Sequence, residues 1–176
     1  MGKLNAAFLR AIFCAALMFI AEPRAAIAAD PALVTLSGGV YDLVSHRTQE
    51  FEGRVEYRHG QGLFETGGIF RGFKPMVGLM GNSAGAVFGY GGFAVPFSFD
   101  DGRWEFVPSG AIGGYHEGSG IFLGGTFQFH IGVSGSYVIS RNSRLGLALY
   151  HISNANVHRK NPGVNSALLQ WSVAFD

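Results

Sequence analysis

Two side chains near the C-terminus have the types and the spacing for ester hydrolysis. His151 and Ser153 stand two positions apart, and Asn154 follows directly. On a β-strand, residues two positions apart point the same way and lie roughly 7 Å from each other. An imidazole can span that gap and take the proton of a serine hydroxyl as the oxygen attacks a carbonyl carbon. The same spacing also fits an inert polar pair at a membrane surface. The residues around the pair are therefore needed to distinguish a catalytic pair from an inert one.

The residues before the pair indicate which way it faces. Leu145, Leu147 and Leu149 share the parity of His151 and Ser153. Alternation with a period of two is typical of a strand with one apolar and one polar side. The pair is therefore expected on the apolar side of a strand that covers residues 143–154.

The same alternation recurs along the chain. Phe127, Phe129 and Ile131 share one face of a segment in which Gln128 and His130 take the other. Turn residues separate the alternating segments, as at 100–102 and 141–143. The segment 61–71 is ambiguous and is expected to extend the second or the third strand. Eight strands are predicted, at 33–45, 49–60, 72–82, 86–98, 104–116, 124–139, 143–154 and 166–175.

Composition and strand length together favour a membrane barrel. The chain has 27 glycines and 16 phenylalanines, and only 14% of its residues are charged. Eight strands of about ten residues, apolar outside and polar inside, match the smallest outer-membrane barrels. We therefore predict an all-β fold, an eight-stranded antiparallel transmembrane β-barrel of the outer-membrane type. A soluble barrel of the lipocalin type, with its apolar side turned inward, is the alternative. In the membrane barrel, charged residues are expected to pair across the lumen: Glu52, Arg54, Glu56 and Arg58.

The first 29 residues are predicted to be a secretory signal peptide. Lys3 and Arg10 precede the apolar stretch 11–20, and residues 26–29 form a small-residue cleavage site. The stretch is too short to span a bilayer, which takes about 20 residues, although an uncleaved anchor is the alternative. The mature barrel domain is then 30–176, and Cys14, the one cysteine, is lost with the signal.

The charge balance excludes nucleic acid as a partner. Residues 1–29 hold three of the 13 basic and one of the 12 acidic residues, which leaves ten basic and eleven acidic residues in the mature chain. The resulting net charge of −1 provides no basic field for a phosphate backbone. The histidines have no metal-ligand spacing and no thiol remains, so no metal site is expected.

Topology places the His-Ser pair near one leaflet. If the first strand starts from the periplasm, the odd-numbered strands run outward, and the seventh ends near the outer leaflet. That leaflet of a bacterial outer membrane is built of lipopolysaccharide. An esterase pair on the lipid side of this strand end would meet acylated lipid.

The residues around the pair resemble the lipid A 3-O-deacylase (PagL) family. The matching stretch runs from Leu147 to Ala155, with Asn161-Pro162-Gly163 downstream and further similarity at 74–78, 127–137 and 143–146. The resemblance implies an outer-membrane barrel without cofactor that hydrolyses the 3-position ester of lipid A and releases a 3-hydroxy fatty acid. It also implies roles for single residues. Ser153 would be the nucleophile, His151 the general base and Asn154 a residue that helps to hold the oxyanion.

One position departs from the family pattern. A glutamate is expected shortly after Asn161-Pro162-Gly163, and Asn165 stands in its place. Asparagine can orient an imidazole but cannot stabilise the imidazolium by charge. Three alternatives remain: an active site that uses Ser153, His151 and Asn165, an acid supplied by Glu117, or a barrel that has lost its activity.

Two basic residues follow the pair in the next loop. Arg159 and Lys160 are expected on the outer side, where they could contact the phosphates of lipid A. A solvated loop without a ligand explains them equally well.

Overall fold

The computed structural model describes residues 30–45 and 47–175, and the predicted signal peptide lies outside the described residues. Strands account for most of this part of the chain, and their bounds agree with the predicted ones to within a few residues. The strands are β1 (Ala32–Tyr41), β2 (Glu50–Arg58), β3 (Lys74–Asn82), β4 (Val87–Ala94), β5 (Phe97–Phe99), β6 (Trp104–His116), β7 (Phe127–Ser140), β8 (Ser143–Ser153) and β9 (Val164–Phe175).

Antiparallel pairing closes these strands into a barrel. Each long strand pairs with its neighbours along the chain, β1 pairs with β9, and β4 pairs with β6. The short β5 continues β4 after a break, because it pairs with β6 in the same register. The ladder is incomplete at the break, because Val95 donates to the Pro108 carbonyl at 2.8 Å and Pro108 has no backbone N–H to donate in return. β4 and β5 therefore count as one, and the predicted eight-stranded antiparallel barrel is confirmed.

The apolar side of each strand points away from the barrel axis. On β8, Leu145, Leu147 and Leu149 are exposed, whereas Ala148 and Tyr150, which have the opposite parity, are buried. An apolar outer surface is what a bilayer requires, and a lipocalin-type barrel would have these leucines inside. The structure thus confirms that the leucine side of β8, which also carries His151 and Ser153, is the outer one.

The lumen is filled with paired polar groups. The Arg54 guanidinium donates to Glu52 at 2.6 Å, and Ser166 on β9, on the other side of β1, donates to the same carboxylate at 2.5 Å. Glu105 accepts hydrogen bonds from Arg58 at 2.9 Å and from Arg144 at 2.8 Å. These partners of opposite charge offset the cost of removing the ions from water. Glu56 has no ion pair among the described residues and instead accepts a hydrogen bond from the Tyr90 hydroxyl at 2.8 Å, so its expected pairing is wrong. The expected pairing across the lumen holds for Arg58, whereas Glu52 and Arg54 pair along one strand.

The connection between β2 and β3 is irregular, so the idea that residues 61–71 extend either strand is wrong. Its backbone makes only isolated bridges, Leu63 with Phe73 and Phe70 with Phe97. Lys74 holds it by donating to the Gly60 carbonyl at 2.5 Å and by pairing with Glu65. This connection lies at the barrel end that carries both termini, and the connections 117–126 and 154–163 lie at the other end.

In the described part of the chain there is no helix long and apolar enough to cross a membrane.

Candidate active site

Three of the residues singled out in the sequence meet on the outer surface of the barrel. His151 and Ser153 close β8, and Asn165 lies directly opposite His151 on β9. All three are half-buried and share the outward parity of the β8 leucines. β9 begins at Val164, two residues before the predicted start, and this earlier start makes Asn165 a cross-strand neighbour of His151.

A hydrogen bond joins His151 to Asn165. Nδ1 of the imidazole lies 3.0 Å from Oδ1 of the amide. An amide oxygen can only accept, so the proton of the neutral imidazole must be on Nδ1. Nε2 is then left as the acceptor, which is the state a general base needs. Asn165 is therefore the residue that hydrogen-bonds the imidazole in this structure, while Glu117 lies in the connection 117–126.

Gly163 confines the imidazole from the other side. A Cβ at this position would lie 2.9 Å from Cε1 and 3.4 Å from Nε2 of His151. The backbone also has a φ of +60°, a conformation that L side chains rarely adopt. Sequence reasoning noted Asn161-Pro162-Gly163 only as a motif and did not assign this packing role. A glycine directly after proline and just before a strand is the signal that could have suggested it.

The Ser153 hydroxyl is free of hydrogen bonds to other described residues, including His151. Enzymes without substrate often show long or unaligned catalytic hydrogen bonds that tighten when substrate binds. A rotation about a single side-chain bond is enough to change the direction of the hydroxyl. The arrangement therefore places a hydroxyl and an oriented imidazole on one face of one strand.

Asn154 is fully buried and ties two connections together. Its Nδ2 donates to the carbonyl of Leu123 at 2.6 Å and to that of Lys160 at 2.7 Å. Its backbone N–H donates to the Asn161 side chain at 3.0 Å. Both hydrogens of the Asn154 amide are thus used within the protein. In this conformation the side chain has none left for an oxyanion.

The two basic residues noted in the sequence follow Asn154 in the same connection. Arg159 and Lys160 are both exposed in the connection 154–163. They lie at the barrel end where β8 finishes, which is also the end that carries His151 and Ser153.

Within the described ranges, no cluster of three His, Cys, Asp or Glu side chains could hold a metal ion.

Comparison with known proteins decides the family. A model of the family described as lipid A 3-O-deacylase (PagL) matches residues 47–174. The chain belongs to the lipid A 3-O-deacylase family. The match includes every residue of the candidate site, among them Asn165 at the position where the family pattern led us to expect glutamate.

Three solved structures have a barrel fold similar to that of this deacylase family member. The crystal structure of the outer membrane enzyme PagL has a TM-score of 0.61 at 17% identity, over 81% of this chain and 99% of that one. Neisserial surface protein A gives 0.53 at 13% identity, over 82% and 96%. A designed transmembrane β-barrel gives 0.57 at 12%, over 84% and 97%. At these identities the likeness concerns the fold alone. No curated protein sequence matches.

Proposed function

We propose that this chain is a lipid A 3-O-deacylase of the outer membrane, a serine esterase that acts on the outer leaflet. The observation that carries the proposal is the outward-facing pair His151 and Ser153, with the imidazole held by Asn165 through a 3.0 Å hydrogen bond. Family membership supplies the substrate, lipid A, and the bond, the acyl ester at the 3-position. The signal peptide 1–29 would be removed on export to this membrane.

In the proposed reaction, His151 and Ser153 act together in two successive steps. Nε2 of His151 accepts the proton of Ser153 as the Ser153 oxygen attacks the ester carbonyl carbon. The tetrahedral intermediate collapses, the sugar oxygen leaves as the alcohol with the proton from His151, and an acyl-enzyme remains. Water then attacks with the same base, the Ser153–acyl bond breaks, and a 3-hydroxy fatty acid is released.

Stabilisation of the oxyanion is assigned to the backbone around Asn154. Because both amide hydrogens of Asn154 already bind carbonyls, the residue would act by fixing the turn at Ala155 and Asn156. Both of these residues have positive φ, at +50° and +65°. Backbone N–H groups held in a tight turn are suitable donors to a developing negative charge. Arg159 and Lys160 would contact the phosphates of lipid A from the exposed loop.

The test is the mass of lipid A before and after incubation with detergent-folded protein. We expect loss of one 3-hydroxyacyl chain with the parent protein and no loss with Ser153→Ala or His151→Ala. Ser143→Ala is the matched control, since Ser143 has the same outward parity at the opposite end of β8. Unchanged lipid A with the parent protein would reject the enzymatic function.

A second candidate function is a catalytically weak or inactive structural barrel. The observation in its favour is Asn165 itself, because an amide does not carry the negative charge that stabilises an imidazolium. The two candidates differ for Asn165→Glu. A gain of activity identifies a weak enzyme, whereas no activity in either form identifies a structural protein.

A further inference from the structure

The connection 59–73 between β2 and β3 has an apolar side that faces outward. Leu63 and Phe64 are 55% and 64% exposed, and Phe73, directly before β3, is 40% exposed. Leu63 forms a bridge with Phe73, so the two side chains point to the same side. Phe73 has the parity of Val77, an exposed residue of β3. The apolar side of the connection therefore continues the lipid-facing surface of the barrel.

Ring contacts attach this apolar side to β5. Phe64 lies edge-on to Phe73, with ring centroids 6.2 Å apart, and Phe70 lies edge-on to Phe73 at 5.9 Å. Phe70 in turn contacts Phe97 of β5 at 5.8 Å and forms a bridge with it. Contacts between aromatic rings stabilise a cluster beyond the burial of apolar area. Four rings thus form one row on the outer surface, which we call the phenylalanine row: Phe64, Phe70, Phe73 and Phe97.

The opposite side of the connection is held by charges at the mouth of the lumen. Lys74, which is 1% exposed, pairs with Asp30 at 3.3 Å and with Glu65. Asp30 also accepts from Nε of Arg71 at 3.1 Å, and Glu65 accepts from the backbone N–H of Gly62 at 2.8 Å. Each of these four charged side chains has a partner of opposite charge. The connection is therefore fixed with its charged side inward and its apolar side outward.

The backbone of the connection covers a sheet edge that faces lipid. β5 pairs with β6 along one edge, and no strand of the described chain pairs with its other edge. The connection takes that place, because Arg71 donates to the Pro96 carbonyl at 2.9 Å and Ser98 donates to the Ile69 carbonyl at 2.8 Å. Phe99 of β5 is 44% exposed on the outer surface. Hydrocarbon does not tolerate an open strand edge, so a covered edge is what a β5 in lipid requires.

We propose that the connection 59–73 is inserted into the phospholipid leaflet at the barrel end that carries the termini, with Leu63 and the phenylalanine row against the acyl chains. Its backbone pairing with β5 holds it there. The partner is lipid because the apolar side is continuous with the lipid-facing surface of β3, and burial of the exposed rings in lipid is favourable. This assignment goes beyond the proposed esterase function and does not depend on it.

Spin labels on single cysteines test the depth of the connection. Cys14 is the one cysteine of the chain, so a Cys14→Ser protein carries one label at each introduced cysteine. The protein is folded into vesicles of phosphatidylethanolamine and phosphatidylglycerol. Collision rates of the label are measured with oxygen, which concentrates in lipid, and with a polar, water-soluble nickel chelate. Leu63→Cys and Phe64→Cys report on the connection. Val77→Cys is the lipid reference, and Arg141→Cys, in the exposed turn between β7 and β8 at the same end, is the water reference.

We expect the labels in the connection to behave as the lipid reference does. The ratio of oxygen to nickel collisions at Leu63→Cys and Phe64→Cys should exceed that at Arg141→Cys at least about tenfold, because hydrocarbon excludes a polar chelate. Ratios as low as that at Arg141→Cys would place the connection in water and overturn the proposal. Slow collisions with both reagents would show that protein, such as a second copy of the chain, covers the apolar side, and would also overturn it.

Two substitutions of Arg71 test whether the pairing with β5 holds the connection in the lipid. Both remove the ion pair with Asp30, and only Arg71→Pro also removes the N–H that donates to Pro96. In the labelled Phe64→Cys protein, we expect the collision ratio to fall toward the water reference in Arg71→Pro and to keep the parent value in Arg71→Ala. An equal fall in both variants, or an unchanged ratio in both, would reject β5 as the strand that holds the connection.

Discussion

At the scale of single residues, the site depends on how the imidazole of His151 is held. Asn165 accepts from Nδ1 and Gly163 lies against Cε1, so the ring is bounded on two sides. The hydrogen bond fixes the tautomer, and the glycine fixes the position. What the amide does not supply is a negative charge for the protonated ring.

Substitutions of Asn165 separate orientation from charge. We expect Asn165→Ala to lower kcat for lipid A deacylation about tenfold, because the loss of one hydrogen bond is worth about 1.4 kcal/mol at most. Asn165→Glu should raise kcat above the parent value, since it restores orientation and adds charge. The released 3-hydroxy fatty acid is measured by mass spectrometry. A fall in kcat for Asn165→Glu as large as that for Asn165→Ala would contradict the charge argument.

Gly163 offers a purely steric test. A methyl group in Gly163→Ala would displace the His151 ring, and we expect kcat to fall about a hundredfold, the cost of a misplacement near 1 Å. Gly102→Ala is the control, because Gly102 also has a positive φ, at +88°, and lies at the opposite end of the barrel. Both variants suffer backbone strain, and only the first should lose turnover. Equal kcat values for the two would exclude steric control of the imidazole.

At the scale of elements, Asn154 joins two connections into one surface above the candidate site. The connections 117–126 and 154–163 belong to different hairpins, and the Asn154 side chain donates to a carbonyl in each. A fully buried amide that satisfies two carbonyls is expensive to remove, because the carbonyls are left without partners. The strands β8 and β9 therefore present His151, Ser153 and Asn165 under a connection with a fixed shape.

We expect Asn154→Ala to loosen both connections while the barrel stays folded. Limited proteolysis should cut at 117–126 and 154–163 at least tenfold faster, and kcat should fall with it. Asn142→Ala is the matched control, since Asn142 is exposed in the turn between β7 and β8 at the opposite end of the barrel and takes part there only through its backbone carbonyl, which accepts from Ala174. Unaltered proteolysis in Asn154→Ala would mean that other contacts fix the connections.

The sequence predicted the strands better than it predicted the register between them. Period-two alternation was enough for the number of strands and for the outward side of β8, because lipid on one side and a polar lumen on the other impose it. It did not predict that Asn165 is opposite His151, since cross-strand register depends on the length and turns of the connection 154–163. The break between β4 and β5 and the hydrogen bonds of the buried Asn154 side chain also depend on partners elsewhere in the sequence.

At the scale of the whole molecule, the charges in the lumen connect strands that are far apart in the chain. Glu105 on β6 accepts from Arg58 on β2 and from Arg144 on β8. These contacts cross the barrel and supplement the hydrogen bonds of the sheet. One carboxylate thus compensates two guanidinium groups.

Neutralising that carboxylate should destabilise the barrel. We expect Glu105→Gln to lower the free energy of unfolding by about 3 kcal/mol, because two buried guanidinium groups lose their counter-charge. The measurement is urea unfolding in detergent micelles or lipid vesicles, followed by tryptophan fluorescence. Glu50→Gln, near the rim of the barrel, should change the free energy by less than about 0.5 kcal/mol. A similar change in both variants would show that the lumen charges are screened by water.

The outward direction of the His151 and Ser153 side chains has a consequence for kinetics. A site on the outside of the barrel meets lipid by lateral diffusion within the leaflet, without lifting it into water. The substrate concentration that matters is then a mole fraction in the plane of the membrane. Inert lipid or detergent added to the same vesicles slows such an enzyme by dilution in two dimensions, even when the bulk concentration of lipid A stays constant.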